Sequence, residues 1–108
     1  MPRDVMAEIR DRIERNKIML FMKGNRHQPM CGFSATAIRV LDAMDVPYET
    51  FDVLGDPEVR EAIKVYSSWP TIPQVYIDGQ FIGGSDILRE MYERGELESV
   101  AQAAVAKS

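Results

Sequence analysis

The chain reads as an α/β protein with a four-stranded mixed sheet flanked by helices on both faces. Three observations predict this. The apolar run Ile18-Met19-Leu20-Phe21-Met22 has the length and composition of a buried strand. A helical pattern and a second β-rich segment follow it, which together make a parallel crossover. Farther along, Asp78-Gly79 separates two short β-rich segments and marks a tight antiparallel hairpin.

Each element has its own signal. Val5, Ile9 and Ile13 recur at helical spacing between charged neighbours, so the first helix is amphipathic and ends near Asn16. After the first strand, residues 23–29 form a polar loop bounded by glycine and proline, which delivers Cys31 to the start of a second helix. Ala37, Ile38, Leu41 and Met44 give that helix its buried face, and Pro47 stops it. Residues 48–53 alternate, with Phe51 and Val53 on one face, and form a strand parallel to the first. Asp56 then Pro57 is an N-cap followed by a first-position proline, and Val59, Ala62, Ile63 and Tyr66 line the third helix. Gln74–Ile77 and Gln80–Gly83 are the hairpin strands. Gly83-Gly84-Ser85-Asp86 opens a fourth helix with Ile87, Leu88, Met91 and Tyr92 inward. Gly95 is its C′ residue, and an Ala-rich helix, Glu96–Ala106, follows. This order is the thioredoxin-like arrangement, and residues 1–108 are expected to form one domain without repeat or linker.

Thirteen basic against seventeen acidic residues leave a net charge of -4, and no basic run is long enough to track phosphates. A nucleic-acid partner is therefore not expected. No apolar stretch is long enough to span a bilayer. The charged N-terminal segment lacks the apolar core of a secretory signal and the acid-poor character of a transit peptide, so a cytoplasmic location is expected. A single cysteine allows no disulfide framework and suits a reducing compartment.

That cysteine, Cys31, sits in Cys31-Gly32-Phe33-Ser34, where serine stands in place of the second thiol of a C-x-x-C pair. It can form no internal disulfide, nor supply the four thiolates that an iron–sulfur cluster usually needs. At a loop-to-helix junction, free N–H groups and the helix dipole favour its thiolate. Phe33 either covers the sulfur or packs on the helix. Ser34 can donate a hydrogen bond to the thiolate but cannot resolve a mixed disulfide. In Trp69-Pro70-Thr71-Ile72-Pro73-Gln74, the prolines push Trp69 and Ile72 towards extended conformations. Ile72-Pro73 is a candidate cis bond, which turns the Ile72 backbone outward, ready to pair with an extended peptide. Lys23 and Arg60 suit a carboxylate, and Ser85 with Asp86 at a helix start suits a second carboxylate and an ammonium. Their ordinary roles are surface charge and capping. His27, the sole histidine, reads as an exposed loop residue rather than a ligand.

Four blocks in order carry a family resemblance: Met22-Lys23-Gly24 with the loop to Pro29, Cys31-Gly32-Phe33-Ser34, Trp69-Pro70-Thr71-Ile72-Pro73-Gln74, and Gly83-Gly84-Ser85-Asp86-Ile87. Over nearly its whole length the chain resembles the monothiol, CGFS-type glutaredoxins of the single-domain, bacterial and mitochondrial-like branch. The resemblance implies glutathione binding, with Cys31 as the redox-active thiol. Lys23 and Arg60 would take the glycyl carboxylate, the Ile72 backbone would pair with the cysteinyl unit, and Ser85 with Asp86 would hold the γ-glutamyl end. Thr71 would stand on the same wall. It further implies a [2Fe-2S] cluster shared by two subunits, each giving Cys31 and one bound glutathione. The cluster-bound form would be a homodimer and the apo form a monomer, with BolA-type proteins and iron–sulfur recipients as partners. The alternative role is a glutathione-dependent oxidoreductase acting on protein–glutathione mixed disulfides. Two departures stand out: Asn25-Arg26-His27-Gln28 replaces the family's Thr/Ser-led loop, and Ser85 replaces the second cysteine of some members.

Overall fold

In the computed structural model, which describes residues 2–107, β1 (Ile18–Met22) is buried along its whole length. It lies between two helical layers. Ile18, Leu20 and Met22 face one core, with Ala37 and Leu41 of α2 (Gly32–Ala43), Leu88 of α4 (Ser85–Glu93) and Leu97 of α5 (Glu96–Ala106). Met19 and Phe21 face the other, with Ile9 and Ile13 of α1 (Val5–Arg15) and Val59 and Ile63 of α3 (Pro57–Ser67). A strand covered on both faces needs apolar residues at every position, which is why the sequence shows a run rather than an alternation. Each such side chain contributes about 1.5–3 kcal/mol by leaving water.

Five further strands complete the β structure: β2 (Gly24–Asn25), β3 (Gln28–Pro29), β4 (Glu49–Asp52), β5 (Gln74–Ile77) and β6 (Gln80–Gly83). The main sheet has the order β4-β1-β5-β6. β4 runs parallel to β1, with Phe21 opposite Phe51, and β5 runs antiparallel to both β1 and β6. The β5–β6 turn uses Asp78 and Gly79 at φ 51° and 79°, the positive pair a two-residue hairpin requires. Asp56 caps α3 by accepting the Val59 N–H at 3.2 Å, and Arg3 donates to both Asp56 and Glu8 and so ties α1 to α3. Among the described residues, no helix is long and apolar enough to cross a membrane.

The structure departs from the expected boundaries in three places. The strand expected at 48–53 is shorter, because the Asp52 carboxylate accepts the Leu54 N–H at 2.9 Å and turns Val53–Gly55 into a 3₁₀ helix. The second helix ends at Ala43, before Pro47, where Asp45 takes a left-handed φ of 54°. The expected loop 23–29 contains an antiparallel ribbon, β2 paired with β3, closed by the Met30 N–H donating to Lys23 C=O at 2.9 Å.

Gly24 makes that ribbon possible. Its φ is +88°, and a Cβ there would stand 2.5 Å from Gln28 O and 2.7 Å from Met30 N. Both are backbone atoms that cannot step aside. Gly24→Ala is therefore expected to lower unfolding free energy in a urea titration by about 3 kcal/mol. Gly55→Ala, with nothing within 4 Å of the added carbon, is the control and should change little.

Candidate functional site

Cys31 is the N-cap of α2, held in extended backbone at φ −156° by the ribbon that precedes it. It stands at the edge of a cleft of about 500 Å³. The cleft wall is assembled from four places: Lys23 beyond the end of β1, one face of α3, the irregular segment before β5, and the start of α4. Lys23, Cys31, Phe33, Arg60, Thr71, Ile72, Ser85 and Asp86 all line it, so the thiol and the residues expected to bind glutathione converge on one cavity, while Ser34 is buried and does not line it. The Ile72-Pro73 bond is cis.

The thiol's surroundings favour ionisation. Burial pushes its pKa up, but the backbone N–H groups of Ser34 and Phe33, the Lys23 ammonium and the Ser34 hydroxyl outweigh this, leaving it below its ordinary value. Ser34 has a second task, since it is fully buried and its Oγ accepts the Lys23 N–H at 3.1 Å. It thus joins the end of β1 to the first turn of α2. The rate of Cys31 alkylation by iodoacetamide should rise through a midpoint below that of an unperturbed cysteine thiol. Below that midpoint the thiol is protonated and inert; Ser34→Ala should move the midpoint upward.

Two large apolar residues flank Cys31 closely in the sequence, Met30 and Phe33, each 62% exposed, and Phe33 lines the cleft. Phe33 therefore stands at the mouth of the cleft and is not packed into the core beneath α2. The wall behind them is cationic. Among the described residues neither Lys23 nor Arg60 pairs with a carboxylate, so both charges are available to a ligand. At the start of α4, Ser85 is buried while the Asp86 carboxylate stands largely exposed, meeting only Arg89, at 3.8 Å, among the described residues.

Three contributors have no site role assigned from the sequence, although Trp69 and Gln74 stand in a motif that carries the resemblance. Lys64, also on the wall, sits one helical turn beyond Arg60, and that spacing was its available signal. Trp69 lines the cleft too, and its indole Nε1 is buried without a hydrogen-bond partner. Gln74 lies behind the wall and holds it in place by side-chain hydrogen bonds. The unusual loop is itself anchored. The Arg26 guanidinium lies 4.4 Å from the centre of the Tyr48 ring and donates to Tyr48 C=O at 2.7 Å, while the Tyr48 hydroxyl donates to Asp42 at 2.6 Å. His27 is exposed, and no group of three potential metal-ligating side chains occurs among the described residues.

Residues 18–82 match the Glutaredoxin family model. A monothiol glutaredoxin of Synechocystis is 48% identical over 103 residues, 95% of this chain and 96% of the relative. The chain is a monothiol glutaredoxin. A probable monothiol glutaredoxin 2 of Rickettsia conorii is 47% identical, covering 88% of this glutaredoxin and 89% of its own length. The fold agrees with a solution structure of a monomeric truncated mutant of Trypanosoma brucei 1-C-Grx1, at TM-score 0.84 and 40% identity, with 94% and 93% of the two chains covered. The thioredoxin-like architecture is thereby established, and Cys31 is the thiol that makes this glutaredoxin monothiol.

Proposed function

We propose that this glutaredoxin binds glutathione in the cleft and carries a [2Fe-2S] cluster between two copies of the chain, as cargo for recipient proteins. The observation that carries the reading is the joining, in one cavity, of two cations unpaired among the described residues, the Thr71-Ile72 segment before the cis proline, and a helix start, with the chain's only thiol at the rim. Glutathione has matching parts: a carboxylate at its glycyl end, a central peptide, and an amino acid head group with both charges. Lys23 and Arg60 serve the first, the Ile72 backbone with Thr71 the second, and Ser85 with Asp86 the third. Lys64 adds positive potential beside Arg60.

The donor set fits a shared cluster. One chain offers one thiolate, already favoured by its surroundings, and glutathione bound beside it brings another. Two chains and two glutathiones make the four sulfur ligands. The exposed Phe33 at the rim, with exposed Met30 just before Cys31 in the sequence, offers apolar surface on which a second protomer can close. In this reading the apo protein is a monomer, and BolA-type proteins and iron–sulfur recipients are its partners. Anaerobic incubation with iron, sulfide and glutathione should yield visible absorption that elutes as a dimer in size-exclusion chromatography. Equal cluster yield without glutathione, or with a monomer elution volume, would count against the carrier.

A second reading is favoured by the lowered pKa of Cys31. The Cys31 thiolate attacks the glutathionyl sulfur of a protein–glutathione disulfide, the protein thiolate leaves, and a Cys31–glutathione disulfide forms. A second glutathione thiolate then attacks the glutathione sulfur of that bond. Oxidised glutathione departs and the Cys31 thiolate returns, so the electrons come from glutathione.

A further inference from the structure

The segment from Trp69 to Ile72 is irregular, yet it forms one wall of the cleft. Irregular backbone keeps a defined position only where side chains satisfy its polar groups. Gln74 does this. It is fully buried, and its Nε2 donates to Trp69 C=O and Thr71 C=O, both at 3.1 Å. Its Oε1 accepts the Tyr76 hydroxyl, also at 3.1 Å. A carboxamide is the only side chain of this length that offers two donors on one atom and an acceptor on the other. Gln74 and Tyr76 lie two apart on β5 and so share a face of the sheet, which lets one brace the other.

The brace reaches beyond the turn. Trp69, whose carbonyl Gln74 holds, packs its ring against Phe81 at 5.7 Å. A Cβ added to Gly84 would stand 3.9 Å from Trp69 Nε1 and 3.3 Å from Pro73 O, so the turn and the start of α4 meet here. Gln74 itself is absent from the cleft lining. We propose that Gln74 is a positioning residue for glutathione: its two N–H donors set the Thr71–Ile72 edge against which the tripeptide pairs. The proposal rests on the glutathione reading of the cleft.

The test uses the reduced full chain and S-methylglutathione, a thioether that cannot exchange with Cys31. Gln74→Met keeps length and removes both donors; Gln74→Glu keeps shape and sets a carboxylate against two carbonyls. Either substitution is expected to weaken S-methylglutathione binding about tenfold or more in calorimetry, the loss of buried donors being felt at the ligand edge. Circular dichroism and the Cys31 alkylation rate, which do not depend on that edge, should stay as in wild type. Emission from Trp69, the only tryptophan, should shift in the free variants. Tyr76→Phe, which keeps both Gln74 donors, should retain most of the affinity.

Unchanged affinity in a folded Gln74→Met protein overturns the proposal. So does an equal loss in Tyr76→Phe, because that assigns the effect to general loosening of the core. Failure of the wild-type protein to bind S-methylglutathione overturns the glutathione reading, and this inference with it. That outcome is separate from binding that Gln74 does not influence.

Discussion

Cys31→Ser leaves a folded monomer that retains no cluster absorption after reconstitution and turns over no glutathione mixed disulfide. The expected effect is complete in both assays, since no other thiol exists in the chain. A serine hydroxyl is not ionised near neutral pH, so it provides neither a soft ligand nor a competent nucleophile. The sulfur is only partly buried at the rim, and its replacement by oxygen should change stability by about 0.5 kcal/mol or less. Thermal unfolding separates loss of function from loss of fold. A serine variant that still gives the visible spectrum at wild-type yield would remove Cys31 from the ligand set.

Reversing the charge at Lys23 should have the next largest effect. Lys23→Glu sets a carboxylate where the cleft has an ammonium unpaired among the described residues, on the same lining as Arg60 and near enough to the thiol to act on it. Glutathione then loses an ion pair and meets a like charge, which should weaken S-methylglutathione binding about thirtyfold or more. The same change acts on Cys31. Lys23 lowers the thiol's pKa, so its reversal raises it, and the alkylation midpoint moves to higher pH. Wild-type affinity should also fall as ionic strength rises, because the cleft is open to solvent and its charges are screened. Affinity that is indifferent to both salt and Lys23→Glu would mean that the carboxylate is bound elsewhere.

Much of the fold was legible because its signals are local. The unbroken run at β1, the Asp56-Pro57 pair and the Asp78-Gly79 turn each encode their conformation within a few residues. The β2–β3 ribbon was not legible, since two-residue strands carry no periodicity. The ribbon depends instead on the positive φ of Gly24 and on the Asp52 carboxylate, which accepts the Gly24 N–H at 2.9 Å from a distant strand. The early end of β4 has a related cause: Asp52 prefers to turn the backbone at Leu54 rather than extend the ladder.

The cleft divides in the same way. Cys31, Ile72 and Ser85 lie in motifs whose local chemistry already suggests a role. Lys64 looks like any surface lysine until Val59 and Ile63 dock α3 and turn Arg60 and Lys64 toward the cavity. Gln74 reads as a polar residue at the start of a hairpin strand. Its burial, and hence its hold on Trp69 and Thr71, exists only once Tyr76 and the turn carbonyls surround it.

The central claim is a ligand count: one thiolate from each chain, completed by glutathione and a second copy. Native mass spectrometry of the protein reconstituted under anaerobic conditions reads that count directly. The expected species contains two chains, two glutathiones and one [2Fe-2S] unit, and removing glutathione abolishes it. A cluster held by one chain, or by two chains without glutathione, would contradict the account.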